Sequence, residues 1–202
     1  MALPASDDFN RSDGAVGANY TTRLFVGATA GMVVNSNECK ASGVGSSWSM
    51  ATWTADTFPD DQFAQFKMVN QSAYCGVVLR WSDGGGGAAN CYLWFNTDGD
   101  NWVMYRMDAG SFTLVYNGPT LFATNSIFKA EAIGSDFKVY DDGVQDCTTQ
   151  VDATYASGEA GIWGLDDGSP SVGRLDDFLA GAIAGGISIP VFVHHFRQQG
   201  IM

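Results

Sequence analysis

The sequence predicts an all-β protein: an antiparallel β-sandwich or jelly roll, followed by an extended C-terminal arm. Four observations carry this. The 202 residues include 25 Gly and 13% aromatics but only 16% charged residues, a composition of strands and turns. Glu, a good helix former, occurs only at Glu38, Glu131 and Glu159. Short β-prone runs recur between turns rich in Gly and Asp. Finally, Asp7-Asp8-Phe9 near the start is echoed by Asp176-Asp177-Phe178 near the end.

The echo suggests first and last strands side by side, with termini close together. With Phe9 opposite Phe178, Arg11 faces Asp176 and Asp13 faces Arg174. Each such pair is worth roughly 0.2–1 kcal/mol. This register closes the sandwich at residues 1–181 and leaves 182–202 as a hinge and assembly arm. The alternative is a chance echo in an Asp-rich chain.

Between the ends, the elements follow in order. Residues 12–31 read as irregular coverage anchored by Tyr20, Leu24 and Phe25. Met32–Asn35 is a short strand with a turn at Ser36-Asn37, and Ser47–Thr54 is a strand. A loop with Pro59 leads to strands at Gln62–Val69 and Ala73–Trp81. The Gly84–Gly87 tip lacks the Lys-Ser/Thr of a phosphate loop and opens no helix, so it reads as a hairpin end. Strands follow at Asn90–Asn96, Asn101–Met107, Ser111–Tyr116, Ile127–Ile133 and Phe137–Tyr140. Asp98-Gly99 and Asp142-Gly143 are strong hairpin signals between them. Gly158–Leu165 and Val172–Leu179 complete the set. No repeat supports a propeller or solenoid.

The net charge of −12 excludes a phosphate-binding nucleic-acid surface and argues against an anionic membrane. No apolar run reaches a membrane span. Met1–Ser6 has neither a basic nor an apolar signal region, so synthesis in the cytosol is expected. Cys39, Cys75, Cys91 and Cys147 lack zinc spacing; they allow two disulfides in three connectivities, or free buried thiols.

Several pieces together resemble the concanavalin A-like lectin/glucanase superfamily, in its LamG-like and DUF1080-type jelly-roll branches, over roughly residues 6–181. They are Asp7–Arg11; Gly76–Arg80 with Cys91–Trp94 and Trp102–Arg106; and Phe128–Gly134 through Phe137–Gly143, Gly158–Trp163 and Leu175–Phe178. The resemblance implies a concanavalin A-like jelly roll, hosting enzymes, lectins or structural modules alike.

Glycosidases of that superfamily carry Glu-x-Asp-x-x-Glu on one strand, which sets two carboxylates on one face. No such spacing exists here: Glu131 is followed two residues on by Ile133. His194 and His195 are adjacent, so on a strand they point apart. The reading is therefore non-enzymatic, with no two carboxylates converging on a sugar-sized cleft.

Sugar binding needs aromatic faces and planar polar groups. Tyr92 and Trp94 share one strand face, Trp102 and Arg106 share another, and Arg80 lies on the preceding strand. These five form the candidate carbohydrate cluster, against the bland alternative that they are core and rim. The resemblance also implies calcium near loop carboxylates, which needs several oxygens at once. The candidates are Asp98, Asp100 and Asn101; Asp141 and Asp142; and Asp166 and Asp167. All three turns are also explained by ordinary Asp turn chemistry.

The functional expectation is a non-enzymatic, lectin-like surface protein. It resembles jelly-roll domains that decorate phage virions and appendages, which implies a virion component, in the capsid decoration or tail, with glycan binding as an added property. The alternatives are a secreted or cell-surface carbohydrate-binding module and a DUF1080-like glycoside-cleaving enzyme. A virion or extracellular surface is the expected location. The arm carries Ile187, Ile189, Val191, Phe192, Val193 and Phe196 beyond a flexible Ala-Gly-Gly hinge. Pro190 confines it to an edge or an extended segment. The expected partner is another subunit, with folding back on its own sandwich as the alternative.

Overall fold

A computed structural model describes residues 3–23, 31–42, 47–70, 74–85, 88–97, 101–119, 122–166 and 173–183. Within them the chain is all β. The strands are β1 (Ala5–Asp7), β2 (Gly14–Ala15), β3 (Tyr20–Thr22), β4 (Met32–Asn35), β5 (Glu38–Ala41), β6 (Ser47–Trp53), β7 (Gln62–Asn70) and β8 (Cys75–Asp83). There follow β9 (Ala89–Asn96), β10 (Trp102–Asp108), β11 (Ser111–Asn117), β12 (Ile127–Ile133), β13 (Asp136–Asp141), β14 (Val144–Gln145), β15 (Gln150–Val151), β16 (Glu159–Asp166) and β17 (Arg174–Ala182).

They form two antiparallel sheets. A ten-stranded sheet runs β14-β13-β12-β7-β17-β5-β4-β2, with β1 on β17 and β15 on β13. A seven-stranded sheet runs β11-β10-β9-β8-β16-β6-β3. The expected meander is real: β8 to β11 are four consecutive neighbours. The last two strands instead enter the middle of each sheet, β16 between β8 and β6, β17 between β7 and β5.

The core between the sheets is aromatic. Trp53, Trp94, Trp102, Tyr92, Phe66, Phe128, Phe137 and Phe178 are all buried there. Strand β7 shows why one face suffices for the larger sheet. Ala64, Phe66 and Met68 point inward while Phe63, Gln65 and Lys67 alternate outward at intermediate exposure. The seven-stranded sheet differs: Met50, Val78, Cys91, Leu93, Met107 and Trp163, on its other face, form a second buried cluster.

The first and last strands pair antiparallel, as expected, but two residues out of the expected register. Asp7 lies opposite Phe178 and Ala5 opposite Ala180. The reason is local. The Asp7 carboxylate accepts the Phe9 N–H at 2.8 Å, and Phe9 takes a left-handed φ of 49°, so the strand ends at Asp7. The expected cross-strand ion pairs do not form. Arg11 instead grips Asp7 at 2.6 and 2.8 Å, and also donates to the Val16 carbonyl. Asp13 accepts from Asn35 and Ser36. Arg174 pairs with Glu38 at 3.0 Å.

Residues 12–31 are less irregular than expected, since β2 and β3 lie in them. The unexpected β5 is paired to β4 through Ser36-Asn37, whose φ values of 59° and 64° suit a tight hairpin. All four cysteines are free thiols; Cys39, Cys75 and Cys91 are buried. The arm residues Ile187, Ile189, Val191, Phe192, Val193 and Phe196 lie outside the described residues.

Trp102 shows how tightly the core is drawn. Its ring stacks on Phe122, its Nε1 donates to Asp146 at 2.6 Å, and Gly118 lies against the ring. A Cβ on Gly118 would sit 2.2 Å from the indole. Gly118→Ala is therefore expected to destabilise by about 1–3 kcal/mol through overpacking, read as a lower urea midpoint.

Candidate functional site

The structure does not make a platform of the aromatic cluster expected from the sequence. Arg80, Tyr92, Trp94 and Trp102 are each 0% exposed, inside the sandwich. Tyr92 and Trp94 do share a face, but it is the inner one, where both pack on Phe137. Arg80 sits at an irregularity in β8 with φ 56°, which turns its side chain inward. Its guanidinium donates to the Asp60 carbonyl at 2.9 and 3.2 Å and the Tyr155 carbonyl at 3.0 Å. It thereby ties two loops to the sheet. Burial lowers its pKa, yet leaves it a cation.

Arg106 is the one member that reaches solvent. It pairs with Asp108 at 2.8 Å and Asp152 at 2.7 Å. Tyr155 donates to Asp108 at 2.6 Å, and Tyr92 to Asp152 at 2.8 Å. This network seals one end of the sandwich. Burial alone would raise the Asp152 carboxyl, but hydrogen bonds from Thr154, Tyr92 and Arg106 together bring it down to about 2.

The calcium candidates do not assemble. Asp98, Asp100 and Asp167 lie outside the described residues. Asn101 accepts from Thr97 and donates to Asn117, as a turn residue does. Asp142, with φ 48°, accepts the Ile127 N–H at 2.8 Å and so caps its hairpin. Asp141 stands beside it, its carboxyl raised by burial. Asp166 ends β16. Among the described residues no three His, Cys, Asp or Glu side chains are grouped to hold a metal.

Three carboxylates line a cleft. A space of about 600 Å³ beside β1, β7, β12 and β17 is lined by Ser6, Asp7, Asp8, Gln65, Ile127, Asp177, Phe178 and Leu179. Asp7 is already engaged by Arg11 and the Phe9 N–H. The cleft offers no aromatic ring other than the buried Phe178, so it lacks a stacking face.

A better-equipped patch lies on the outward face of the seven-stranded sheet. On β6, Ala51 and Trp53 point into the core, so Thr52 between them points out. On β16, Ala160 points in and Glu159 out. Glu159 stands opposite Trp81 of β8, which is half-buried against the outer cluster. Arg23, just past β3, completes the group. Its guanidinium lies 3.7 Å over the Trp81 ring. It donates to Thr52 at 2.7 Å and to Glu159 at 2.5 Å, and Thr52 donates to the same carboxylate oxygen at 2.5 Å. Gly158 makes this approach possible: with φ 141°, any Cβ there would sit 2.4 Å from the Trp81 carbonyl. An aromatic run continues along the face, with Phe95 against Trp163 at 4.3 Å, Trp163 against Trp48 at 5.0 Å and Trp48 against Phe112 at 4.8 Å. Strict alternation along β8 would place Trp81 on the inner face with Leu79; the irregularity at Arg80 turns it outward, so the sequence carried no signal for it.

The sequence matches no family model and no curated protein. Solved structures do match in fold. A carbohydrate-binding module, CBM66 from Bacillus subtilis, is 17% identical with a TM-score of 0.57, over 81% of this chain and 92% of that one. The Emp46p carbohydrate recognition domain is 10% identical with a TM-score of 0.56, over 82% and 89%. A native glycosidic hydrolase is 8% identical with a TM-score of 0.59, over 89% and 96%. The fold is thus a lectin-type jelly roll, shared by binding modules and a hydrolase.

Asp152 gives the pH dependence its sign. A carboxylate held below its unfolded value of about 4 stabilises the protein above that value and ceases to as pH falls toward 2. The urea-midpoint difference between wild type and Asp152→Asn is therefore expected to shrink between pH 4 and 2. A constant difference would contradict it.

Proposed function

We propose that the chain is a non-catalytic, lectin-like carbohydrate-binding module, and that its platform is the Trp81, Arg23, Glu159 and Thr52 patch. The observation that carries this is one half-buried indole flanked by a guanidinium and a carboxylate held in fixed positions. A sugar ring needs an apolar face to pack on and planar donors and acceptors for its hydroxyls. The partly exposed Trp81 indole supplies the apolar surface, and the partly exposed Arg23 and Glu159 supply the polar groups, with buried Thr52 holding the Glu159 carboxylate from behind. The similarity of fold to a carbohydrate-binding module and a carbohydrate recognition domain supports the reading. Such a module belongs on an extracellular or virion surface, where glycans are met.

Hydrolysis is the weaker reading. In the cleft, Asp7 is engaged by Arg11 and by the Phe9 N–H, and no aromatic ring is free to stack a sugar among the described lining residues.

A glycan array followed by calorimetry on the best ligand tests the proposal. Trp81→Ala is expected to weaken binding at least tenfold, and Glu159→Gln several-fold, with the fold intact by circular dichroism. Unchanged affinity in both variants, or no binding across the array, would overturn it.

A further inference from the structure

We propose that the Trp81 patch takes neutral sugars and turns away uronate and sulfated sugars, with the Arg23–Glu159 pair setting that choice. The inference rests on the glycan reading of the patch and adds the chemical class of its ligand.

The polar atoms of the patch divide into a used set and a spare set. Thr52, fully buried, accepts from Arg23 Nε at 2.7 Å and donates to Glu159 Oε2 at 2.5 Å. The same Oε2 accepts from Arg23 Nη2 at 2.5 Å. Among the described residues, nothing bonds Arg23 Nη1 or Glu159 Oε1. Both side chains reach solvent, at 20% and 31% exposure. The patch therefore offers one spare donor and one spare acceptor, carried by two groups already in contact. A hydroxyl can both donate and accept. Neighbouring hydroxyls of one sugar ring suit the pair: one accepts from Nη1 while the next donates to Oε1. An ionised carboxylate or sulfate only accepts. It would face Oε1 with no proton between them.

Charge points the same way. The Arg23 cation is already met by the Glu159 carboxylate. No surplus positive charge is left at the patch to repay the desolvation of an anion. The chain beyond the pair adds a net charge of −12, and like charge against like charge costs binding. An amino sugar gains little in exchange, because Glu159 is likewise taken up by Arg23.

The test compares β-glucan, β-mannan and β-galactan with the same polymers oxidised at C6 to uronates, so that each pair differs in the carboxylate. Calorimetry is run on the full chain at 1 M NaCl, where the Debye length falls to about 3 Å and the charge of the body is screened. Wild type is expected to bind at least one neutral polymer, and its uronate at least tenfold more weakly. In Glu159→Gln, Arg23 loses its counter-charge. Affinity for the neutral polymer then falls several-fold while affinity for the uronate rises, so the ratio shrinks toward one. Equal binding of both forms by wild type, preference for a uronate, or a ratio unmoved in a folded Glu159→Gln would overturn the selectivity and leave the glycan reading standing. Binding to none of the six polymers removes that reading, and the selectivity with it. If Glu159→Gln does not fold by circular dichroism, the wild-type ratio decides alone.

Discussion

Both sheets are completed at their centres by the last two strands, and the rest of the structure depends on that insertion. Without β17, strands β7 and β5 have no common neighbour; without β16, neither do β8 and β6. The two halves of each sheet are joined only when the chain is nearly finished. Such long-range pairing makes folding slow relative to a simple meander, because loop closure precedes the contacts that offset it. The candidate site shares the dependence, since Glu159 is the first residue of β16.

Much of the fold was legible in the sequence because turns and strands are strongly marked. Ile127–Ile133 was read with its true bounds, and most other long strands fell within a residue or two. What failed was register. Charge complementarity placed Arg11 opposite Asp176, yet Asp7 offers Arg11 a partner four residues away and its carboxylate also turns the chain at Phe9. A local pair, formed at small entropic cost, prevailed over a cross-strand pair. β5 was missed because Glu38-Cys39-Lys40-Ala41 has little β-propensity; its alternation, with Cys39 and Ala41 buried, was the available clue.

The site was less legible for a specific reason. Face assignment from alternation was right: Tyr92 and Trp94 do share a face, and so do Cys91, Leu93 and Phe95. Both faces of β9 are apolar, however, so nothing in the strand says which one is inside. Tyr92 and Trp94, expected outward as a sugar platform, point inward. Arg80 compounded the error, since the irregularity in β8 is invisible to a two-residue period and turns a charged residue into the core.

The energetics of the outward patch favour a binding role over a structural one. Arg23 and Glu159 are 20% and 31% exposed at their side chains, and an ion pair so open to water contributes only about 0–1 kcal/mol. Arg80 is the contrast: fully buried, bonded to backbone carbonyls alone, and explained by the loops it holds. Arg23 holds no comparable loop through its side chain. What its contacts fix is orientation, with the guanidinium over Trp81 and the carboxylate bonded by both Arg23 and Thr52. Rigid donors and acceptors beside an apolar ring lose little freedom when a polyhydroxylated ligand arrives. On the proposed reading, that preorganisation serves recognition of a sugar.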